Sequence, residues 1–310
     1  MNFHKSITLL KNIHCYTSQK IKYIRKGTLS IPTKLWYANT ISYKNNFGPR
    51  REIARFQKKF SSAERALLGN THKPHAALLQ KNGFYIPQSN HSKTLLLKIK
   101  SKVQQYMETE QHSVMNSTNA SRFLRDPLDK IPEIKQFLSE DILRIIASYY
   151  GCACKIDRLQ IWRNYHVPEA DQKETEKFSN FFHHDNFPVT GLRVFVILSD
   201  KVTRETGAFR FHDKNTSRQM IRRLRYFHRY LLSKKMQQRL HDPKTLQFFE
   251  GNCGDICIVN PQECLHSATV PKLGTHRDML QFVIYPSQDP LRLGQDIFDN
   301  VPHSCQELLL

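Results

Sequence analysis

Three short runs of β-branched and apolar residues, each bounded by turn residues, restrict the fold of this chain more than any other feature. The first is Gly191-Leu192-Arg193-Val194-Phe195-Val196-Ile197-Leu198-Ser199-Asp200. Gly254-Asp255-Ile256-Cys257-Ile258-Val259-Asn260-Pro261 repeats the pattern, and Asp278-Met279-Leu280-Gln281-Phe282-Val283-Ile284-Tyr285-Pro286 is the third. Runs of this kind are too short for core helices and read as buried strands. Leu159-Gln160-Ile161-Trp162-Arg163-Asn164-Tyr165 alternates instead, as a strand with two distinct faces does. Several strands with turns and little helix between most of them predict an all-β core, either a barrel or a double-sheet jelly roll.

Helices are expected outside that core. Ile53, Phe56, Phe60, Ala63 and Leu67 recur at helical spacing over residues 50–70, Ser92 to Met107 is amphipathic, and Glu133 to Tyr150 is a third such stretch. The expected division is a basic N-terminal extension over 1–50 and a helical part over 51–150 that packs on the core. The core itself follows over 151–300, with a basic helical insertion at 215–241. At 310 residues the chain can bury a large core.

The residues able to do chemistry stand at the ends of these strands. In Phe182-His183-His184-Asp185 a histidine and a carboxylate are one residue apart just before the first run; His266 follows the second, and Arg277 opens the third. Two imidazoles and one carboxylate can cap one face of Fe(II), leaving positions open for a chelating acid and for dioxygen. An arginine can then hold a carboxylate of that chelator with a planar fork that lysine lacks. Chance has to be weighed, because 15 histidines and 14 aspartates in 310 residues give roughly 0.7 His-x-Asp triplets, and this chain has two. The second, His276-Arg277-Asp278, is followed only by His303 and then by no arginine. Strand context therefore selects His183, Asp185 and His266 as metal ligands and Arg277 as the anion anchor. His184 is expected behind the ligands or exposed, and His212, His241 and His276 at the surface.

The order His183-x-Asp185, His266 and Arg277, with the arginine 11 positions after the second histidine, resembles the phytanoyl-CoA dioxygenase family of Fe(II)/2-oxoglutarate oxygenases. Val194 to Asp200, Glu205-Thr206-Gly207-Ala208-Phe209-Arg210-Phe211 and Gly254 to Val259 are similar to that family's core strands and turns, and the resemblance spans about residues 80–287. It implies a double-stranded β-helix with helices on its outside and 2-oxoglutarate as cosubstrate. It also implies hydroxylation of a small molecule with release of succinate and carbon dioxide. By the same resemblance, Gln160 and Asn164 help Arg277 to seat 2-oxoglutarate. Asp185 argues for oxidation, since related halogenases carry a small residue there. The chain departs from the pattern at Phe211-His212-Asp213-Lys214-Asn215, where many members have Pro-Gly-Ser-His. It departs again at Ala268, often a hydroxyl residue, whose hydrogen bond the neighbouring Ser267 could replace. Two other classes stay open: a non-catalytic binding module for an acidic partner, and a cupin-like metalloenzyme without 2-oxoglutarate.

The net charge of +20 is concentrated in two places. Residues 1–51 hold ten Lys/Arg and no acid, and residues 217–244 hold nine against Asp242 alone, so the rest is nearly neutral. From Ser217 to Leu240, Met220, Leu224, Phe227 and Leu231 share one helical face while Arg218, Arg222, Arg225 and Arg229 share the other. This is either a solvated charged face or a lid that draws an anionic substrate to the site. Nucleic acid is not expected, because no stacking aromatics accompany the arginines. The 1–50 leader is mostly lysine, which favours an ordinary extension over a mitochondrial transit peptide. Seven cysteines without a disulfide framework read as reduced, partly buried thiols, and Cys253, Cys257 and Cys264 as only a weak zinc pattern. With no long apolar run to span a membrane, the expected location is the cytoplasm, or the mitochondrion if the leader is cleaved.

Overall fold

In the computed structural model, which describes residues 48–174, 177–185, 191–224, 238, 240, 242–299 and 301, the apolar runs pair into one large antiparallel sheet. The strands are β1 (Phe84–Tyr85), β2 (Ser113–Met115), β3 (Ser121–Leu124), β4 (Cys154–Tyr165), β5 (Leu192–Ile197), β6 (Lys201–Val202), β7 (Phe209–Phe211), β8 (Gln247–Phe249), β9 (Gly251–Asn252), β10 (Ile256–Val259), β11 (His266–Ala268) and β12 (His276–Pro286). Seven of them form the sheet β1-β10-β5-β12-β4-β3-β2, three form β11-β7-β8, and β6 pairs with β9. The predicted all-β core with flanking helices is what forms. The N-terminal part does more than pack on it, because β1, β2 and β3 all join the main sheet.

The two sheets face each other through Phe195, Ile197, Cys257, Val259 and Met279 on one side and Phe209, Phe211 and Phe249 on the other. Strand alternation sends Leu192, Val194 and Val196 the opposite way, into a second core with the helices and with Leu280, Phe282 and Ile284. β5 is therefore buried on both faces, which explains why its sequence is a continuous apolar run rather than an alternating one. Burying each such side chain contributes about 1.5–3 kcal/mol. Tyr150 locks the helical layer to the strands that carry the site: its hydroxyl donates to Ile284 O at 2.9 Å and accepts from Leu192 N at 2.9 Å.

Two of the expected helices are interrupted. The stretch over 50–70 divides into Gly48–Lys59 and Ser62–Leu68, because Ser61 and Glu64 form a reciprocal capping box that starts a new helix. Phe56 and Phe60 are buried as expected, but the restart turns the face, so that Leu68 is buried and Leu67 is 52% exposed. The stretch over 133–150 is a 3-10 turn, Pro132–Phe137, followed by a helix, Glu140–Tyr150, that Ser139 caps by accepting from Ile142 N. The amphipathic stretch from Ser92 is the helix Lys93–Met107, as predicted. Of the basic insertion, the helix Lys214–Leu224 is described, and most of the remaining predicted helix lies outside the described residues.

On the face of β4 and β12 that looks away from the smaller sheet, Arg163 donates to both oxygens of Asp278 at 2.7 and 2.8 Å. That contact disposes of the chance triplet His276-Arg277-Asp278. Alternation places Arg277 and Asp278 on opposite faces, and Asp278 belongs to a buried structural ion pair.

Candidate metal centre

His183 and His266 are brought face to face by their backbones. His183 N donates to His266 O at 2.9 Å and His266 N to His183 O at 2.8 Å, an antiparallel bridge that extends β11 by one residue of the 177–185 loop. The imidazole centroids stand 4.3 Å apart. Each ring is oriented from behind: His183 Nδ1 lies 2.8 Å from Phe181 O and His266 Nδ1 lies 2.9 Å from Cys264 O. A carbonyl oxygen can only accept, so both Nδ1 atoms carry a hydrogen, and in the neutral tautomer this leaves the Nε2 lone pair pointing forward. Both Nε2 atoms lie 3.9 Å from Asp185 Oδ1. Asp185 is itself anchored by its backbone N–H, which donates to Pro261 O at 2.9 Å. The candidate ligand atoms of His183, Asp185 and His266 all lie within 4.8 Å of one another, and the two histidines are only 2% and 6% exposed. Two imidazole lone pairs and a carboxylate oxygen converging in a buried place form a donor set that suits Fe(II) in a facial arrangement.

These atoms open on a cavity of about 240 Å³ between the sheets. The register Arg277↔Asn164, Met279↔Trp162 and Gln281↔Gln160 places six side chains of β12 and β4 on its wall. Arg277 is 4% exposed; its Nη2 donates to Asn164 Oδ1 at 2.6 Å and its Nη1 to Gly207 O, while its Nε has no partner among the described residues. No carboxylate pairs with it among those residues, and burial pushes its pKa down to about 10, the charge of Asp278 offsetting only part of that. Gly207 is required here. Its φ of 103° is one that side-chain-bearing residues avoid, and a Cβ would lie 3.0 Å from Pro271 Cγ and 3.2 Å from Arg277 Cβ. Asn164 holds the guanidinium in place, since its Oδ1 also accepts from Trp162 Nε1 at 2.7 Å and its Nδ2 donates to Ser121 Oγ at 2.6 Å. Gln160 faces the cavity beside Gln281. Ser267 borders the cavity, but its hydroxyl accepts from Arg210 Nε at 2.6 Å, and Ala268 shares the strand face of His266.

Several contributors were not legible in the sequence. Arg193 lines the cavity and its Nη2 lies 3.3 Å from Asp185 Oδ2. Its signal was a lone charge inside an apolar strand. Phe123, Ser121 and Asn116 reach the cavity because β3 pairs with β4, a long-range event with no local signature. Thr118 Oγ1 then ties that hairpin to the metal-bearing loop by donating to Lys177 O at 3.1 Å.

His212 is a correction. It is fully buried, because its Nε2 donates to Leu240 O at 2.7 Å, its Nδ1 meets Thr245 Oγ1 at 3.1 Å, and its ring packs on Phe182. The residue ties the C-terminal end of the insertion to the end of β7 in the smaller sheet. His184 is buried, His276 is exposed as expected, and His241 lies outside the described residues. On the basic helix, Lys214 and Arg218 pair with Glu263 at 2.8 and 3.0 Å. Cys152, Cys154, Cys253, Cys257 and Cys264 are unpaired thiols, four of them buried.

Compared by sequence, the chain matches no family model and no curated protein. Compared by structure, it is similar to EctD from S. alaskensis with 2-oxoglutarate and 5-hydroxyectoine, at a TM-score of 0.50 and 14% identity, over 71% of this chain and 77% of that one. EctD from S. alaskensis with bound Fe gives a TM-score of 0.50 and 13% identity, over 71% and 78%. The non-heme alpha ketoglutarate dependent epimerase SnoN from nogalamycin biosynthesis gives 0.48 and 16%, over 78% and 97%. The EctD likeness shows that the sheets are those of the double-stranded β-helix fold. No helix among the described residues is long and apolar enough to cross a membrane.

Proposed function

We propose that this chain is an Fe(II)- and 2-oxoglutarate-dependent dioxygenase, of the kind that the phytanoyl-CoA dioxygenase family represents, and that it hydroxylates a small organic substrate. The observation that carries the reading is a pairing of two features in one cavity. Two histidines converge on Asp185 through their Nε2 atoms, and a buried arginine in the same cavity wall pairs with no carboxylate among the described residues. His183, Asp185 and His266 would hold the iron, and Arg277 the distal carboxylate of 2-oxoglutarate. When bound, iron with 2-oxoglutarate supplies oxidation of a substrate C–H bond by dioxygen, coupled to decarboxylation of the cosubstrate to succinate.

The protein's own contribution is binding, orientation and exclusion of water. The carbonyls of Phe181 and Cys264 orient the histidine rings; Asn164 and Gly207 hold the guanidinium plane of Arg277; Gln160 stands further along the same wall, across from Gln281, as a further donor. Phe123, Phe178, Phe195, Phe209 and Met279 make the remaining wall apolar, which fits a substrate that is carbon-rich where it is oxidised.

The test is succinate formation by the purified protein under air with Fe(II) and 2-oxoglutarate, repeated over a panel of candidate substrates. Basal succinate that rises with one chemical class and disappears in Asp185→Ala supports the reading. Succinate formation that Asp185→Ala leaves intact overturns it.

A further inference from the structure

Arg193 is the one charged residue in β5, and every other residue of that strand is apolar and buried. It is 4% exposed and sits on the inner face between Val259 of β10 and Val283 of β12, its cross-strand partners. A cation in such a place is costly unless an anion meets it. The anion is Asp185, whose Oδ2 lies 3.3 Å from Arg193 Nη2 while its Oδ1 faces both imidazoles. The Tyr285 ring lies close to the guanidinium, both groups flanking Gly191. Gly191 makes room for both, since a Cβ there would overlap the Tyr285 ring and lie 3.2 Å from Arg193 Nη1.

We infer that Arg193 is a positioning residue for the metal: it retains Asp185 Oδ2, so that the carboxylate offers the ion Oδ1 alone. The inference rests on the Fe(II)/2-oxoglutarate reading. A carboxylate with both oxygens free can close on an ion through both and occupy a position that cosubstrate or dioxygen needs. Held through one oxygen by the Nη2 of Arg193, it stays monodentate. The charge also matters, because a dication with one carboxylate and a dianionic 2-oxo acid leaves a net negative charge in a buried place, which Arg277 and Arg193 reverse. Partners behind a metal ligand typically change metal affinity by about 10–100-fold when removed.

The experiment uses Ni(II) and Co(II) alone, without cosubstrate or turnover. Wild type, Arg193→Met and Arg193→Lys are titrated by calorimetry, and the visible spectrum of the Co(II) form is recorded for each. Arg193→Met is expected to shift Ni(II) affinity by about 10–100-fold and to change the Co(II) spectrum as Asp185 becomes bidentate. Arg193→Lys, which keeps the charge without the planar guanidinium, is expected to lie between. Should Arg193→Met fail to fold, Arg193→Lys decides alone. A folded Arg193 variant with wild-type Ni(II) affinity and an unchanged Co(II) spectrum overturns the inference while leaving the proposed function standing. A wild type that binds neither ion overturns both.

Discussion

Replacing Arg277 by methionine removes a buried cation that no carboxylate balances among the described residues, and its effects on binding and on stability should therefore separate. Burial lowers the arginine from its ordinary 12.5 to about 10. At 1.36 kcal/mol per unit, the site disfavours the charge by about 3 kcal/mol, and a bound carboxylate can return that amount. Loss of the anchor should then weaken 2-oxoglutarate binding on the order of 100-fold. The folded protein without cosubstrate loses two hydrogen bonds to neutral oxygens but is relieved of a desolvated charge, so its stability should change by only about 1 kcal/mol. The assay is calorimetric titration of 2-oxoglutarate into the Mn(II)-loaded protein, wild type against Arg277→Met, with urea unfolding of both in parallel. A change in 2-oxoglutarate affinity of less than about threefold would refute the reasoning. So would a large loss of stability, because Arg277 would then be a structural cation.

Gly207→Ala should destabilise by about 1–2 kcal/mol, because φ is 103° there, and should also raise the 2-oxoglutarate Kd by disturbing the carbonyl that holds Arg277; urea unfolding and calorimetry measure the two. Phe282→Ala, on the helix side of β12, should cost about 3–5 kcal/mol in chemical denaturation and leave metal affinity of the folded fraction unchanged. Asp278 has a pH signature: burial pushes its pKa up, but hydrogen bonds from Arg163 and His276 and their charges together hold it below its ordinary 3.8. A depressed folded value means that the stabilisation is complete above the unfolded value and is lost as pH falls through the folded one. Asp278→Asn should therefore flatten the fall in stability below about pH 4, and at neutral pH should cost about 3–5 kcal/mol by stranding Arg163, as urea midpoints across pH will show.

The strands of the core were legible because burial imposes a local signature. β5, covered on both faces by apolar cores, reads as an unbroken apolar run, and β4 alternates because one face meets the helical core and the other the polar wall of the cavity. The four candidate residues could be singled out because each stands near the end of a predicted strand, and the structure brings the three candidate ligands within reach of one ion. The capping box Ser61-x-x-Glu64 was present in the sequence, yet apolar spacing outweighed it and hid the helix break that exposes Leu67. His212 read as a surface residue because nothing local announces that the end of a basic insertion, Leu240, folds back onto it. Arg193 was in plain view, but its meaning depends on Asp185, which only the folded chain places opposite. Ser267 shows the same limit: strand alternation decides that its hydroxyl meets Arg210.

Anaerobic titration of the protein with Fe(II) and then 2-oxoglutarate, followed by visible absorption, tests the central claim most directly. A 2-oxo acid chelating Fe(II) held by His183, Asp185 and His266 should give a metal-to-ligand charge-transfer band that saturates with one cosubstrate per chain and is absent in His266→Ala. A folded wild-type protein that shows no such band at saturating Fe(II) and 2-oxoglutarate would contradict the account.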